Sequence, residues 1–314
     1  MRMVVVGLGI QGNKRKVVAG KDVVATVDPV KPEAEYRDIR DVPLNSYDGV
    51  FVCTPDQPKA EILHYLLTNR KHALVEKPLL GKDNSELTAL LELSRANSTT
   101  CYTAYNHRFE PHIVNLKNLL DAGELGNVYM MRLFYGNGTA RDVRNSDWRD
   151  RGTGVLPDLA SHMLDMLLFL FGDIKPRFTP WNFNCFENRA FDHFIFGSES
   201  NSLPLFALEG TLLSWRNNFA ADVYAELGSA HIQSLCKWGP STLSVRKRVF
   251  PSGKPDIYSE ILEQADPTWT IEYEHFKKIC EKGESNLQND IWINAVLLDL
   301  VRQLREKHPG LEYI

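Results

Sequence analysis

The sequence predicts an α/β plus α+β protein, in which a doubly wound parallel sheet is followed by a mostly antiparallel open sheet. The chain has 314 residues, more than one hydrophobic core usually organises. From residue 2 to about 122, short β-branched runs alternate with amphipathic stretches, as in parallel strands joined by crossover helices. Alternation of apolar and polar residues dominates after residue 126. We therefore expect two domains, residues 1–122 and 123–314.

The first domain is expected to contain five strands, with helices between and after them. The predicted strands span 3–6, 23–27, 49–53, 72–75 and 99–104, and the predicted helices lie near 11–19, 57–69, 84–96 and 108–122.

The second domain is expected to consist mainly of strands. Residues 128–135 alternate like a half-buried strand, as do several runs between 175 and 249. A helix over 157–171 interrupts these strands, because apolar residues recur at helical spacing behind Pro157. Two more helices are predicted near 269–282 and 290–307.

The composition is that of a globular protein, with 43% hydrophobic and 24% charged residues. A net charge of -4 without a long basic run argues against nucleic acid or an anionic membrane as a partner. Five widely spaced cysteines predict neither a disulfide framework nor a metal site and fit the reducing cytoplasm. Neither a signal peptide nor an apolar stretch of about 20 residues, the length of a membrane span, is recognised.

A glycine motif lies where the first predicted strand meets the first predicted helix. Gly7, Gly9 and Gly12 have G-x-G-x-x-G spacing. The first permits a tight turn, the second lets backbone amides approach a pyrophosphate, and the third allows close helix–strand packing. The helix N-terminus adds a favourable partial charge. This context predicts a Rossmann domain that binds a nicotinamide dinucleotide.

Asp28 ends the second predicted strand, where a carboxylate can accept hydrogen bonds from the adenosine ribose and repel a 2′-phosphate. The expected cofactor is therefore NAD rather than NADP. Lys14, Arg15 and Lys31 lie near enough in sequence to keep NADP open. The alternative is that Asp28 only initiates a turn at Pro29.

Two further segments carry residues suited to catalysis, Val75-Glu76-Lys77-Pro78 and the stretch from Asp158 to Asp165. With the glycine motif they resemble the Gfo/Idh/MocA family, the glucose-fructose oxidoreductase and inositol dehydrogenase group. The resemblance runs across nearly the whole chain, and its pieces are 7–12, 54–55, 71–78, 106–109, 123–126, 148–149 and 158–165.

The resemblance implies that Lys77 and His162 face the substrate carbon beside the nicotinamide, and that Asp158 completes the group. A histidine that titrates near neutrality is suited to take the hydroxyl proton, which makes His162 the candidate general base. An ammonium at Lys77 would stabilise charge on the substrate oxygen. Asp158, four residues before His162, can orient the imidazole or bind a neighbouring hydroxyl. Each residue also has a purely structural alternative. Lys77 could be a solvated surface lysine, Asp158 an acid favoured at a helix N-terminus, and His162 a histidine packed in the core.

The resemblance also implies a set of cofactor contacts. They are Gly7, Gly9, Ile10, Gln11, Gly12, Asp28, Thr54, Pro55, Glu76, Lys77 and Asn106. The chain departs from the family at Lys59, where relatives often have histidine, and at Ala160, which replaces a usual glycine and is expected to narrow the pocket. We also predict a cis peptide bond before Pro78.

The segment 136–154 is rich in arginine and aspartate and leads into the predicted helix that carries Asp158. Arginine can bind a carboxylate or phosphate with two hydrogen bonds, and Trp148 can stack on a sugar face. Trp148 and Arg149 are therefore predicted to bind substrate together with the three catalytic candidates. A solvated loop is the alternative. The resemblance implies a sugar, a cyclitol or a nucleotide-linked sugar as the substrate.

The sequence thus predicts an NAD(P)-dependent oxidoreductase that transfers hydride between nicotinamide and a secondary alcohol or ketone. The alternatives are a glycosidase that uses NAD transiently and a regulator that senses the dinucleotide without chemistry.

An aromatic stretch indicates either a subunit contact or packing beneath the 157–171 helix; its members are Trp181, Phe183, Phe186, Phe191, Phe194 and Phe196. Partly from the resemblance, we expect a homo-oligomer, a dimer or tetramer.

Overall fold

A computed structural model describes residues 1–146, 149–199 and 204–307. The chain forms two compact units. Unit 1 contains Met1–Asn106 and Pro267–Ala295, and unit 2 contains His107–Asp266 and the chain from Val296 onward. This division differs from the predicted boundary at residue 122, because the chain leaves unit 1 earlier and returns to it near its end.

Within the described part of unit 1, five parallel strands form a sheet with the order β2-β1-β3-β4-β5. The strands are β1 (Met3–Val6), β2 (Val23–Val27), β3 (Gly49–Val52), β4 (His72–Glu76) and β5 (Cys101–Ala104); the helices between them are α1 (Ile10–Ala19), α2 (Lys59–Thr68) and α3 (Asn84–Ala96). Most strand residues are buried, as expected for a parallel sheet covered on both faces. The predicted doubly wound sheet is confirmed.

Within the described part of unit 2, eight strands form a second sheet with the order β13-β12-β11-β10-β6-β9-β8-β7. The strands are β6 (Val128–Gly136), β7 (Phe178–Asn184), β8 (His193–Ser198), β9 (Leu205–Thr211), β10 (Asn218–Ala225), β11 (Gly228–Gln233), β12 (Ser241–Lys247) and β13 (Ile257–Leu262). Strands β6 and β9 pair in parallel, and the other neighbours pair antiparallel. The predicted mostly antiparallel open sheet is confirmed.

Three helices accompany this sheet, α4 (Pro111–Asp121), α5 (Ala140–Arg144) and α6 (Ser161–Phe171). The predicted helix over 157–171 is α-helical only from Ser161, because Leu156–Ala160 forms a π-helical turn in front of it. Such turns insert one extra residue into a helix and often occur at functional sites.

The aromatic stretch divides between the core and the surface of unit 2. Phe191, Phe194 and Phe196 are at most 3% exposed, so they pack inside the unit. Trp181 and Phe186 are 56% and 64% exposed. Internal packing therefore explains the first three residues and leaves two aromatic side chains on the surface.

Two further helices follow the second sheet, α7 (Thr268–Cys280) and α8 (Leu287–Lys307). In unit 1, Tyr273 and Phe276 of α7 join the apolar cluster on one face of the parallel sheet. On the β5 side, Asp290 of α8 accepts hydrogen bonds from Thr103 Oγ1 at 2.8 Å and from the Tyr105 hydroxyl at 3.0 Å. The helices thus supply part of the core of the first sheet. None of the helices in the described ranges is long and apolar enough to cross a membrane.

Candidate functional site

The predicted cofactor residues of unit 1 lie at the carboxyl ends of four neighbouring strands. Gly7 follows β1, Asp28 follows β2, Thr54 comes two residues after β3, and Lys77 follows β4. Because β2, β1, β3 and β4 are adjacent and parallel, their carboxyl ends meet at one edge of the sheet. The fold therefore brings these four residues to the edge where such sheets bind dinucleotides.

The three glycines differ in what surrounds them. A Cβ on Gly7 would lie 2.6 Å from the Cys53 carbonyl oxygen, and φ of this residue is +93°; a Cβ on Gly12 would lie 1.8 Å from the Gly7 carbonyl oxygen. A Cβ on Gly9 would meet no described protein atom within 4 Å. Gly7 and Gly12 are thus required by packing, whereas Gly9 borders open space at the start of α1. Beside it, Ile10 is 78% exposed, which leaves this apolar side chain available to cover a ligand.

Asp28 is tied to the glycine motif by its own carboxylate. Oδ2 accepts the backbone N–H of Leu8 at 2.8 Å, and Oδ1 accepts those of Val30 and Lys31, both at 2.9 Å. Burial by itself would raise the pKa of Asp28, but these three donors and the charge of Lys31 together lower it. A carboxylate offers about four acceptor positions, so this ionised group retains room for a ribose hydroxyl. Asp28 therefore initiates the turn and also suits the predicted cofactor contact.

The remaining cofactor candidates differ in burial and in hydrogen bonding. Among the residues that the structure describes, the buried hydroxyl of Thr54 has no hydrogen-bond partner, as expected if a ligand supplies one. Gln11 and Pro55 are exposed. The buried Asn106 side chain donates from Nδ2 to Thr268 Oγ1 at 2.8 Å. The open side of the glycine turn and the Thr54 hydroxyl fit a bound dinucleotide.

Glu76 takes part in a buried ion network that the sequence did not predict. Its Oε1 accepts from Arg15 Nε at 2.7 Å, and Arg15 Nη2 lies 2.7 Å from Glu272 Oε2. The guanidinium lies 4.2 Å from the centre of the Trp269 ring. Burial would lower the pKa of Arg15, but Glu272 and Glu76 raise it above its ordinary value, so the group stays charged. Arg15 is therefore held inside unit 1 by two carboxylates.

The Lys77–Pro78 peptide bond is cis, which confirms the prediction. Beneath it lies Lys59, 3% exposed, whose Nζ donates to the Pro78 carbonyl and to Asp56 Oδ1, both at 2.7 Å. Burial lowers the pKa of Lys59, against the opposing effect of Asp56. Lys59 thus supports the main chain next to the half-buried Lys77.

In unit 2, His162 lies in the first turn of α6, 6% exposed, and Asp158 lies half-buried in the π-helical turn before it. The His162 ring stacks on that of His107, with centroids 4.0 Å apart and an interplanar angle of 18°. The Tyr135 ring lies 6.2 Å from His162. Burial and, second, the charge of Asp158 raise the pKa of Tyr135, so the carboxylate lies near this phenol. An imidazole pair, a carboxylate and a phenol therefore converge here.

Two cations border this group. Lys237 Nζ lies 2.8 Å from Nε2 of His107. Arg108 donates from Nε to Asp165 Oδ2 at 3.0 Å, and its Nη2 pairs with the other oxygen of that carboxylate. Sequence reasoning singled out neither Tyr135 nor Lys237. His107 lay within a recognised motif without an assigned role.

The predicted substrate residues are only partly described. Trp148 lies outside the described residues, and Arg149 is half-buried. Asp150, 4% exposed, accepts the backbone N–H groups of Arg189 and Ala190 at 2.8 and 3.0 Å. This carboxylate therefore has a structural role in the loop.

Ala160, at the end of the π-helical turn, is fully buried at 0% exposure. Of the predicted catalytic group, Asp158 and His162 belong to unit 2 and lie in consecutive helical turns, whereas Lys77 belongs to unit 1.

Comparison with known proteins gives two family matches. Residues 1–105 match the oxidoreductase family with an NAD-binding Rossmann fold, and residues 113–178 match the GFO/IDH/MocA C-terminal domain. Together these matches span more than half of the chain.

Among curated relatives, scyllo-inositol 2-dehydrogenase (NAD(+)) of Bacillus subtilis is 24% identical over 93% of this chain and 89% of that protein. Inositol 2-dehydrogenase of Rhizobium meliloti is 26% identical over 48% of this chain. The chain spans only 41% of the length of that relative and a similar share of several others.

Solved structures share the fold along the whole chain. Levoglucosan dehydrogenase in complex with NADH and levoglucosan has a TM-score of 0.81 at 17% identity, with 98% of both chains covered. A putative myo-inositol dehydrogenase from Sinorhizobium meliloti 1021 has a TM-score of 0.79 at 21% identity, again with 98% of both chains covered. At these identities the similarity establishes the fold alone.

Proposed function

Because the chain belongs to the Gfo/Idh/MocA family of oxidoreductases, we propose that it is an NAD(P)-dependent dehydrogenase or reductase that acts on CH–OH groups. The observation that carries the proposal is the placement of Gly7, Asp28, Thr54 and Lys77 after four adjacent parallel strands, at the edge where such sheets bind dinucleotides. NAD is preferred to NADP in this proposal, since an ionised carboxylate at Asp28 repels a 2′-phosphate.

The proposed reaction separates a hydride from a proton. Oxidation of a secondary alcohol removes the hydride from carbon and the proton from oxygen, and a bound nicotinamide would supply the hydride acceptor. His162 takes the hydroxyl proton, for which a buried imidazole is suited. Lys77 donates a hydrogen bond to the same oxygen and stabilises its charge. Asp158 orients the imidazole or a neighbouring hydroxyl.

The substrate that we propose is a sugar, a cyclitol or a nucleotide-linked sugar. The names of the relatives support a polyhydroxylated compound, since they include inositol and levoglucosan dehydrogenases. Trp148 and Arg149 remain predicted substrate contacts. Asp158, His162 and Lys77 provide one carboxylate, one imidazole and one ammonium, a set that matches the hydroxyls of such a ring.

A substrate panel tests the proposal. We would assay myo-inositol, scyllo-inositol, levoglucosan, glucose 6-phosphate and UDP-glucose with NAD⁺ and with NADP⁺, and follow the absorbance of reduced nicotinamide. Turnover of at least one polyol with NAD⁺ is expected. Glycoside cleavage without accumulation of NADH indicates the transient-redox glycosidase instead. Tight NAD binding without turnover of any compound indicates the non-catalytic regulator.

Variants connect that activity to the assigned residues. His162→Ala and Lys77→Ala are each expected to lower kcat by about 10²–10⁴-fold, the usual contribution of an acid–base group, and His162→Ala should leave NAD affinity nearly unchanged. His64→Ala and Lys82→Ala remove exposed residues of the same types and serve as matched controls. Unchanged turnover in both test variants contradicts the assignment.

We also infer a homo-oligomer, a dimer or tetramer, located in the cytoplasm. Large apolar side chains on the strands of unit 2 support association, because Trp181, Tyr258 and Ile261 are 56%, 64% and 68% exposed. All five cysteines, each within the described residues, are free thiols, as expected in a reducing compartment. Light scattering that returns the mass of a single chain would contradict the oligomer.

A further inference from the structure

We propose that Lys237 and His107 are positioning residues that keep His162 neutral and ready to accept a proton. The inference rests on the proposed role of His162 as the general base. Three side chains of unit 2 are arranged in series. The ammonium of Lys237 contacts Nε2 of His107 at 2.8 Å, and the His107 ring stacks on the His162 ring at 4.0 Å.

The contact with Lys237 fixes the tautomer of His107. An ammonium group only donates hydrogen bonds, so Nε2 of His107 must accept, and the proton of the neutral ring lies on Nδ1. A second proton on this ring would place two cations 2.8 Å apart at a side chain that is 2% exposed, with little water to screen them. His107 therefore remains neutral at pH values where an ordinary imidazole takes up a proton.

The same arrangement acts on His162 through the stack. A positive charge one ring away disfavours the imidazolium form of His162, so the resting side chain is an unprotonated base. Protonation of both stacked imidazole rings is also unfavourable, because it would place two positive charges next to each other. A neutral His107 presents its ring face to His162, and a ring face attracts the cation that forms when His162 takes the substrate proton.

Other charged and titratable groups face this pair from the neighbouring elements. The Tyr135 ring lies 5.4 Å from His107 and 6.2 Å from His162. Asp158, near that phenol, favours the imidazolium form and opposes Lys237. The ion pair of Arg108 and Asp165 is internally balanced, and Glu110, whose pKa burial raises, faces Lys237. The proton affinity of His162 is thus set between the Asp158 carboxylate on one side and the Lys237 ammonium on the other.

Histidine side-chain NMR tests the tautomer without a substrate. We would record two-bond ¹H–¹⁵N spectra of protein labelled with ¹⁵N-histidine between about pH 5 and pH 8, and assign the rings with His107→Gln and His162→Gln. We expect His107 to stay neutral with its proton on Nδ1 throughout. In Lys237→Met, the pKa of His107 should rise relative to the wild type, because the neighbouring positive charge is gone, and the ring should begin to take up a proton within this pH range. Lys237→Arg, which keeps the charge and the donor, should resemble the wild type.

The pH profile of catalysis gives the second measurement, with the substrate identified by the panel. Loss of the Lys237 charge lets His162 hold its proton to higher pH, so the acid limb of kcat/KM in Lys237→Met should move upward by about half to one pH unit. Lys247→Met removes an exposed lysine that pairs with Glu124 at 3.7 Å and should leave the limb in place. Lys237→Gln repeats the test with a polar, neutral side chain in case methionine disturbs folding.

The outcomes separate this inference from the function on which it rests. A wild-type His107 that titrates normally, or carries its proton on Nε2, overturns the inference and leaves His162 as the base. An unmoved acid limb in both neutral Lys237 variants also overturns it. Full turnover in His162→Ala overturns the role of His162, and with it this inference, even where the His107 spectra are as expected.

Discussion

Replacing Arg15 by methionine would leave two carboxylates inside unit 1 without their counter-charge. The guanidinium is 1% exposed and forms 2.7 Å ion pairs with Glu76, 11% exposed at the side chain, and with Glu272, 0% exposed. Removal of one partner from a buried ion pair typically costs about 3–5 kcal/mol, because the remaining charge stays buried. Glu272 is fully buried, so its unpaired charge incurs the whole cost, whereas the partly exposed Glu76 regains some hydration.

Two smaller effects add to the loss of stability in Arg15→Met. Loss of the cation–π contact with Trp269 costs about 1 kcal/mol. Methionine fills much of the vacated volume, so the added cavity cost is small. We expect the free energy of unfolding to fall by about 5 kcal/mol, and Tm to fall on the order of 10 °C, at about 2–4 °C per kcal/mol for domains of this size.

Calorimetry of three variants tests this reasoning. Arg2→Met is the matched control, since Arg2 pairs with Asp48 at 50% and 41% exposure and should lose much less stability than Arg15→Met. The double variant Arg15→Met/Glu272→Gln neutralises the more deeply buried carboxylate and should recover about 2 kcal/mol of the loss. The reasoning is refuted if Arg15→Met is as stable as Arg2→Met, or if the double variant recovers nothing.

Asp28→Ser is expected to lower the ratio of kcat/KM for NAD⁺ to that for NADP⁺ by about 10-fold or more, because a charged acceptor is lost; an unchanged ratio contradicts this assignment. His72 Nδ1 accepts the Thr100 amide at 3.1 Å, and burial lowers the pKa of His72 below 6.5. Its contribution to stability is therefore complete above about pH 6.5 and is lost as pH falls through the lowered pKa, so the urea midpoint should decline in acid less steeply for His72→Gln than for the wild type; parallel declines argue otherwise. Lys59→Met should cost about 1–3 kcal/mol in chemical denaturation, because the Pro78 carbonyl loses its buried donor, and Lys59→Arg should cost less; equal losses would exclude the hydrogen bond as the cause.

Local patterns predicted the elements of both sheets but not the assembly of unit 1. Strands β1 to β5 lie within two residues of their predicted bounds, because short β-branched runs are bounded by polar turns. Helix α7 was also predicted from its periodicity. The periodicity predicts that α7 has an apolar face but not which sheet that face covers. The packing of α7 beside Phe51 and Tyr102 was therefore not predictable from the sequence.

In the candidate site, too, local features were predictable and long-range contacts were not. Gly7, Gly12 and Asp28 were predictable because a tight turn and an adjacent strand end impose their own residue types. The contact between His107 and Lys237 joins positions 130 residues apart and leaves no periodic trace. The π-helical turn Leu156–Ala160 was read as ordinary helix, because five residues are too few to distinguish its longer repeat from an α-helical one.

The insertion of His107–Asp266 into unit 1 affects how this protein emerges from the ribosome. Synthesis of Met1–Asn106 delivers the five parallel strands, but Phe276, which packs on their apolar face, and Asp290, which accepts from Thr103, come much later. Most chains complete an N-terminal domain before the next one is made. Here the first sheet to be translated is among the last parts to be finished, so nascent chains should need chaperones until the C-terminal helices have left the exit tunnel.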